Sequence, residues 1–132
     1  MAANVGIVLV SHSAALAEGT AELAGQVGGE TVTIAAAGGT DDGRIGTSLA
    51  KIQRAIQLAD AGAGVLILPD LGSSVLTVRA LLADPDDLPG QVVMADAPFV
   101  EGAVAAAVTA AGGGDLKAVL DAAQEARHAR KL

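Results

Sequence analysis

Four short apolar runs recur along this 132-residue chain, Val5 to Val10, Val32 to Ala37, Val65 to Leu68 and Val92 to Ala95, and each stops at polar or turn-forming residues. Unbroken apolar runs of this length read as strands buried on both faces, as in a parallel sheet. Parallel neighbours need a crossover, and the sequence supplies one in each gap. Residues 14–27 carry Leu16, Leu23 and Val27, while residues 47–60 place Leu49, Ile52, Ile56 and Ala59 at three- and four-residue spacing. Residues 73–83 read as a shorter helix, capped by Ser73 or Ser74 and closed by Asp84-Pro85. Pro98 opens a helix running to Gly112-Gly113-Gly114, and Asp115 caps a last one that ends in Arg127, His128, Arg130 and Lys131. Strand and helix repeated four times, plus a terminal helix, predict a three-layer α/β fold. Its sheet is mainly parallel, of four or five strands, with helices on both faces and a single domain over residues 1–132.

In such a sheet the loops at the carboxyl ends of the strands form one edge, and chemistry gathers there. That edge receives His12 after the first strand, Asp41 and Asp42 after the second, Asp70 after the third and Asp96 after the fourth. These four loops are expected to converge. The other histidine, His128, reads as a cation of the polar tail, so His12 is the one imidazole placed for chemistry.

Composition removes several functions. Fifteen acidic against eight basic residues give a formal charge of -7, which opposes gripping a phosphate backbone by counterion release, so nucleic acid is not expected as a partner. With no Trp, no Tyr and one Phe, no base-stacking platform can form. The absence of cysteine excludes disulfides, thiolate nucleophiles and Cys-ligated metals. No apolar run approaches the roughly 20 residues of a membrane span, and the N-terminus lacks the pattern of a secretion signal. A cytoplasmic protein without membrane contact is expected. Hydrophobic residues make up 52% of the chain, a surplus that predicts self-association as a homodimer, and the Ala-rich stretch 103–111 reads as a tight packing or dimer surface.

Imidazoles titrate near neutrality, so much of the group is an uncharged nucleophile whose phosphorylated form can pass its cargo onward. To act so, one ring nitrogen must hold its proton against a carboxylate or carbonyl while the other presents its lone pair. Asp70 is the candidate carboxylate, with helix capping as its alternative role. The turn Leu71-Gly72-Ser73-Ser74 then feeds a helix whose first N–H groups can cradle an anion, and Ser11 and Ser13 can add donors from the other side. A carboxylate beside a phosphoryl group weakens its hold, which suits a transient carrier. Ser73 reads as a cap, a phosphoryl contact or both. Asp41-Asp42-Gly43 reads first as a turn that, with Thr40 and Ile45, shapes a partner surface. Phe99 reads as core or interface, and Glu101 as a solvated first-turn acid.

Other chemistries fit less well. A divalent metal on His12, Asp41, Asp42, Asp70 and Asp96 would draw its acids from separate loops without a second histidine at ligand spacing. A receiver domain needs an acidic pair where Ser11-His12 stands, and a histidine phosphatase needs a second catalytic histidine and an Arg beside the first. A dinucleotide-binding fold needs a Gly-rich turn after the first strand. A regulatory module that binds small phosphorylated ligands at the same edge stays open as an alternative.

Four segments carry a resemblance: Val8-Leu9-Val10-Ser11-His12-Ser13, Gly39-Thr40-Asp41-Asp42-Gly43-Arg44-Ile45-Gly46-Thr47, Asp70-Leu71-Gly72-Ser73 and Ala97-Pro98-Phe99-Val100-Glu101-Gly102-Ala103. In this order and spacing they resemble the mannose-type enzyme IIA domains of the bacterial phosphotransferase system, and within that family the subunits serving phosphoenolpyruvate-dependent dihydroxyacetone kinase. The resemblance spans about residues 4 to 125. It implies that His12 is phosphorylated on Nε2 by the carrier protein HPr while Asp70 holds Nδ1–H. It further implies that Ser11, Ser13, Thr40, Asp41, Gly72 and Ser73 surround the phosphoryl group or the docked partner, and that the chain itself binds no cofactor and no metal. The implied acceptor is ADP held in the nucleotide-binding subunit of the kinase; a component of a sugar phosphotransferase system is the alternative within the family. Some relatives continue into further carrier domains, so a chain ending at Leu132 is expected to be the single-domain form, fed in trans. Where relatives carry a Glu on the helix after Asp-Leu-Gly-Ser, this chain has Arg79.

Overall fold

The structure, a computed structural model, describes residues 3–132, with the backbone alone at Asp87. Strand β1 (Gly6–Ser11) leads to helix α1 (Ala14–Gly28), β2 (Ile34–Gly38) to α2 (Leu49–Ala59), and β3 (Val65–Pro69) to α3 (Gly72–Leu82). A 3-10 turn at Pro85–Asp87 precedes β4 (Val92–Met94), which is followed by α4 (Phe99–Ala111), α5 (Leu116–Glu125) and a 3-10 turn at Ala126–His128. The four strands lie in the order β2-β1-β3-β4, all parallel. Of the four or five strands expected, four are present among the described residues.

The central position of β1 explains its unbroken apolar sequence. Ile7 lies opposite Ile34 on one side and Leu66 on the other, so both edges of the strand are paired. Side chains alternate between faces: Ile7 and Leu9 join α1, α4 and α5, whereas Val8 and Val10 join α2 and α3. This is the expected three-layer arrangement. The order of strands reverses direction between β1 and β3, and open α/β sheets form their ligand crevice at such a switch point. The loops carrying His12 and Asp70 leave the sheet at that crevice.

Small residues let the layers approach. Ala103, Ala106, Ala107 and Ala110 of α4 are fully buried against the sheet and its neighbouring helices, so the Ala-rich stretch is an internal packing surface. Phe99 packs at the margin of the same core. A Cβ on Gly6 would stand 2.0 Å from the Ala59 carbonyl oxygen, which lets the end of α2 lie directly on β1.

Three helices carry side-chain caps: that of Asp115 is the expected one, whereas Ser13, expected as a donor to the site, and Ser48, expected as part of its helix, cap instead. Ser13, Ser48 and Asp115 accept from the N–H groups of Leu16, Lys51 and Ala118 at 3.2, 3.2 and 2.9 Å. Helix α3 departs from expectation: it begins at Gly72, and neither Ser73 nor Ser74 caps it, because both hydroxyls turn toward His12. Helix α5 stops at Glu125, short of the basic tail. That tail folds back on α4, where Lys131 pairs with Glu101 at 3.1 Å. No helix among the described residues is long and apolar enough to cross a membrane.

Candidate functional site

Ser11 is the last residue of β1, and burial on both sides fixes its side chain inward. Its hydroxyl donates to Asp70 Oδ2 at 2.9 Å and accepts the Ser13 N–H at 3.0 Å. The His12 N–H donates to the same carboxylate oxygen at 3.0 Å. Oδ1 receives the Ser74 hydroxyl at 2.7 Å, the Leu71 N–H at 2.7 Å and His12 Nδ1 at 2.9 Å. Five donors therefore converge on one carboxylate whose side chain is 7% exposed. Asp70 is itself held to β1 by its own N–H, which donates to the Val10 carbonyl at 2.9 Å.

The electrostatics follow from this count. Partial burial pushes the Asp70 carboxyl up, but hydrogen bonds from Ser74, the His12 N–H, Ser11 and the Leu71 N–H outweigh it and bring it down to about 2. An ionised carboxylate only accepts, so Nδ1 is the protonated nitrogen of neutral His12. Nε2 is left with a lone pair, which faces the hydroxyl of exposed Ser73. The His12 side chain is 21% exposed. One nitrogen is thus anchored inside and the other is directed to the surface.

Nε2 opens beside the start of α3. The first turn of a helix leaves N–H groups without intrahelical acceptors, and here that turn begins at Gly72, next to Ser73, whose hydroxyl meets Nε2. Between α3 and the end of β4 lies an open cleft of about 400 Å³ whose walls include Asp70, Val75, Arg79 and Met94. This places Arg79 next to the site on its β4 side.

The other expected site residues divide between support and distance. Ser11 does not face the surface: it is fully buried, and its proton goes to Asp70, so it acts on the site from behind. Ser13 caps α1. The loop after β2 is a self-bonded turn in which Thr40 donates to Asp42, Arg44 forks onto Asp42 Oδ2, and Asp41 accepts from Ser48 at 2.5 Å. Gly46 ties that loop to the site, its N–H donating to the His12 carbonyl at 2.9 Å. Of the three acidic loops expected to converge on the imidazole, that of Asp70 contacts it, while Asp41 and Asp42 bond to Ser48 and Arg44 instead. Asp96 lines the same cleft as Asp70 but is 92% exposed and pairs with Arg127 at 3.3 Å. Among the described residues no three acidic or histidine side chains stand together in a way that could hold a metal ion.

Ser74 is the residue that the sequence reading missed as part of the site. The signal was its four-residue spacing from Asp70, which returns a side chain on the first helical turn to the strand end before it.

The comparisons with known proteins show the class to be that of a IIA component of the phosphotransferase system. The chain belongs to the family described as the PTS system fructose IIA component, whose sequence model matches residues 6–120. Among known structures it is similar to EF1359, a protein of unknown function, with a TM-score of 0.80 and 40% identity over 92% of this chain and 94% of that one. Among curated proteins it is similar to the phosphoryl donor subunit DhaM of the PEP-dependent dihydroxyacetone kinase of Escherichia coli (strain K12), at 38% identity over 96% of this chain. The corresponding subunit of Providencia stuartii is 37% identical over the same share. The chain spans 28% of the length of each of these two relatives. A DhaM subunit of dihydroxyacetone kinase 2 of Listeria innocua is 40% identical over 79% of this chain and 84% of its own length.

Proposed function

We propose that this chain is a phosphoryl carrier of a phosphoenolpyruvate-dependent dihydroxyacetone kinase, working through a phosphohistidine at His12. The observation that carries the reading is the division of labour on one ring: Nδ1 held at 2.9 Å by Asp70, and Nε2 turned to the surface at the start of α3. The relatives' shared name supports the kinase as destination.

The chemistry balances without a further reagent. The Nε2 lone pair attacks the phosphorus of a phosphoryl group borne by HPr. The donor's P–N bond breaks, its electron pair returns to the donor ring, and a new P–N bond forms on His12. Positive charge that develops on the ring is met by Asp70, which keeps Nδ1–H in place. The N–H groups of Gly72 and Ser73, with the Ser73 hydroxyl turned outward, are donors for the phosphoryl oxygens. In the second half-reaction a terminal oxygen of ADP, held in the kinase's nucleotide-binding subunit, attacks the same phosphorus and Nε2 leaves with its electron pair. The phosphoryl group is cargo, and in this reading the chain holds no cofactor. It works in the cytoplasm as a homodimer; exposed Leu16, Leu23 and Val27, which share one face of α1, are apolar surface available for such pairing.

The test is reconstitution. With phosphoenolpyruvate, enzyme I and HPr, the chain acquires an acid-labile, base-stable phosphate. Addition of the kinase subunits with ADP and dihydroxyacetone then moves that phosphate to the triose. Labelling that never leaves the chain in the presence of the kinase subunits would count against the assigned acceptor.

A further inference from the structure

We infer that Ser74 is a positioning residue for phosphoryl transfer, its buried hydroxyl acting with Asp70 to keep the proton of His12 on Nδ1 and to hold the ring against rotation. The kinetic part of this inference rests on the carrier reading of His12; the geometric part does not.

Ser74 is fully buried in the first turn of α3, where a serine ordinarily caps the helix or faces water. Its Oγ lies 2.7 Å from Asp70 Oδ1 and 3.2 Å from His12 Nδ1. A hydroxyl has one hydrogen, and Asp70, ionised, can only accept. The hydrogen therefore points at Oδ1, and the Oγ lone pairs face the imidazole. Nδ1 consequently meets two acceptors, Oδ1 at 2.9 Å and Oγ at 3.2 Å. A lone pair on Nδ1 would be repelled by both, so Nδ1 carries the hydrogen and Nε2 the lone pair.

Asp70 alone would define one line from the ring to the strand end. Ser74 adds a second acceptor off that line, and together they define a plane. Rotating the ring by half a turn would bring Cδ2–H to these oxygens and lose both hydrogen bonds. Consecutive serines thus address opposite nitrogens of one imidazole: buried Ser74 joins Asp70 in holding the proton at Nδ1, and exposed Ser73 meets the nucleophile at Nε2. The helix forgoes a side-chain cap in this arrangement.

The experiment is imidazole ¹⁵N NMR of the full chain, labelled at histidine, at a pH where neutral imidazoles predominate. Signals of His12 are assigned by their loss in His12→Ala, and His128 in the tail serves as an internal averaged reference. In the wild type His12 shows a widely separated pair, protonated at Nδ1 and unprotonated at Nε2. In Ser74→Ala this pair moves toward the His128 values, and kcat for phosphorylation by phosphorylated HPr falls roughly tenfold with KM unchanged, the effect of one lost hydrogen bond. Asp115→Ala, which removes the cap of α5, lowers thermal stability and moves neither readout. A folded Ser74→Ala that keeps the wild-type pair of shifts overturns the inference, whatever its rate. If the shifts respond but the wild type accepts no phosphoryl group, the positioning role stands and the carrier reading fails.

Discussion

Asp70 meets His12 twice, accepting the backbone N–H at Oδ2 over 3.0 Å and the ring Nδ1 at Oδ1 over 2.9 Å. One carboxylate at the end of β3 therefore fixes both the chain direction and the ring orientation at the end of β1. Asp70→Asn retains the shape but offers one oxygen where two are used, and its amide hydrogens face N–H donors. The initial rate of phosphate incorporation is expected to fall about 100-fold or more, as when a tautomer-fixing carboxylate is lost elsewhere. Circular dichroism should show a folded variant, which separates this effect from unfolding.

The same carboxylate makes stability depend on acid. Its pKa is about 2 in the fold against an ordinary value of 3.8, so the stabilisation is complete above the unfolded value and is lost as pH falls through the folded one. The size is about 2 kcal/mol, with most of the loss between about pH 5 and pH 2. Urea midpoints of the wild type and Asp70→Asn, measured from pH 6 to pH 2, should converge across that window.

The chain's fold was legible because β1 and β3 are buried on both faces and so show unbroken apolar runs. The edges were less so. Val32 is core but precedes β2, and β4, an edge strand paired with β3, stops at Met94. At the site, His12 and Asp70 could be read from strand-end position. Ser74 escaped that reading despite its spacing from Asp70, because a serine on a first helical turn has capping as its ordinary role, and here contact with Asp70 and His12 overrides it. The acids of the other loops misled for a related reason: strand-end position places a backbone at the edge without aiming its side chain. Asp42 and Asp96 found arginines of their own.

Gly38 supports the site by being small. A Cβ there would lie 2.5 Å from the Ser13 carbonyl oxygen and 2.7 Å from Ala14 Cα, so Gly38→Ala must displace the first turn of α1 next to His12. A destabilisation of about 1–3 kcal/mol is expected, with a slower phosphorylation rate. Gly19→Ala provides the contrast. It lies inside α1 with nothing within 4 Å of an added Cβ, and it should stabilise by about 0.5–1 kcal/mol in thermal melts.

Helix α4 tests the packing. Ala107→Leu places three extra carbons where the helix meets α1, and is expected to cost about 1–3 kcal/mol or more. Val108→Ala, on the exposed face one residue on, should stay within about 0.5 kcal/mol of the wild type. Denaturant midpoints of the two variants measure the difference directly.

The central claim is that His12 carries the phosphoryl group, and mass spectrometry of the chain after incubation with phosphoenolpyruvate, enzyme I and HPr tests it most directly. The account predicts one acid-labile phosphate per chain, located on Nε2 of His12, and none on His12→Ala. Full-yield labelling of His12→Ala, or a wild-type chain that stays unmodified beside a fully phosphorylated HPr, would contradict it.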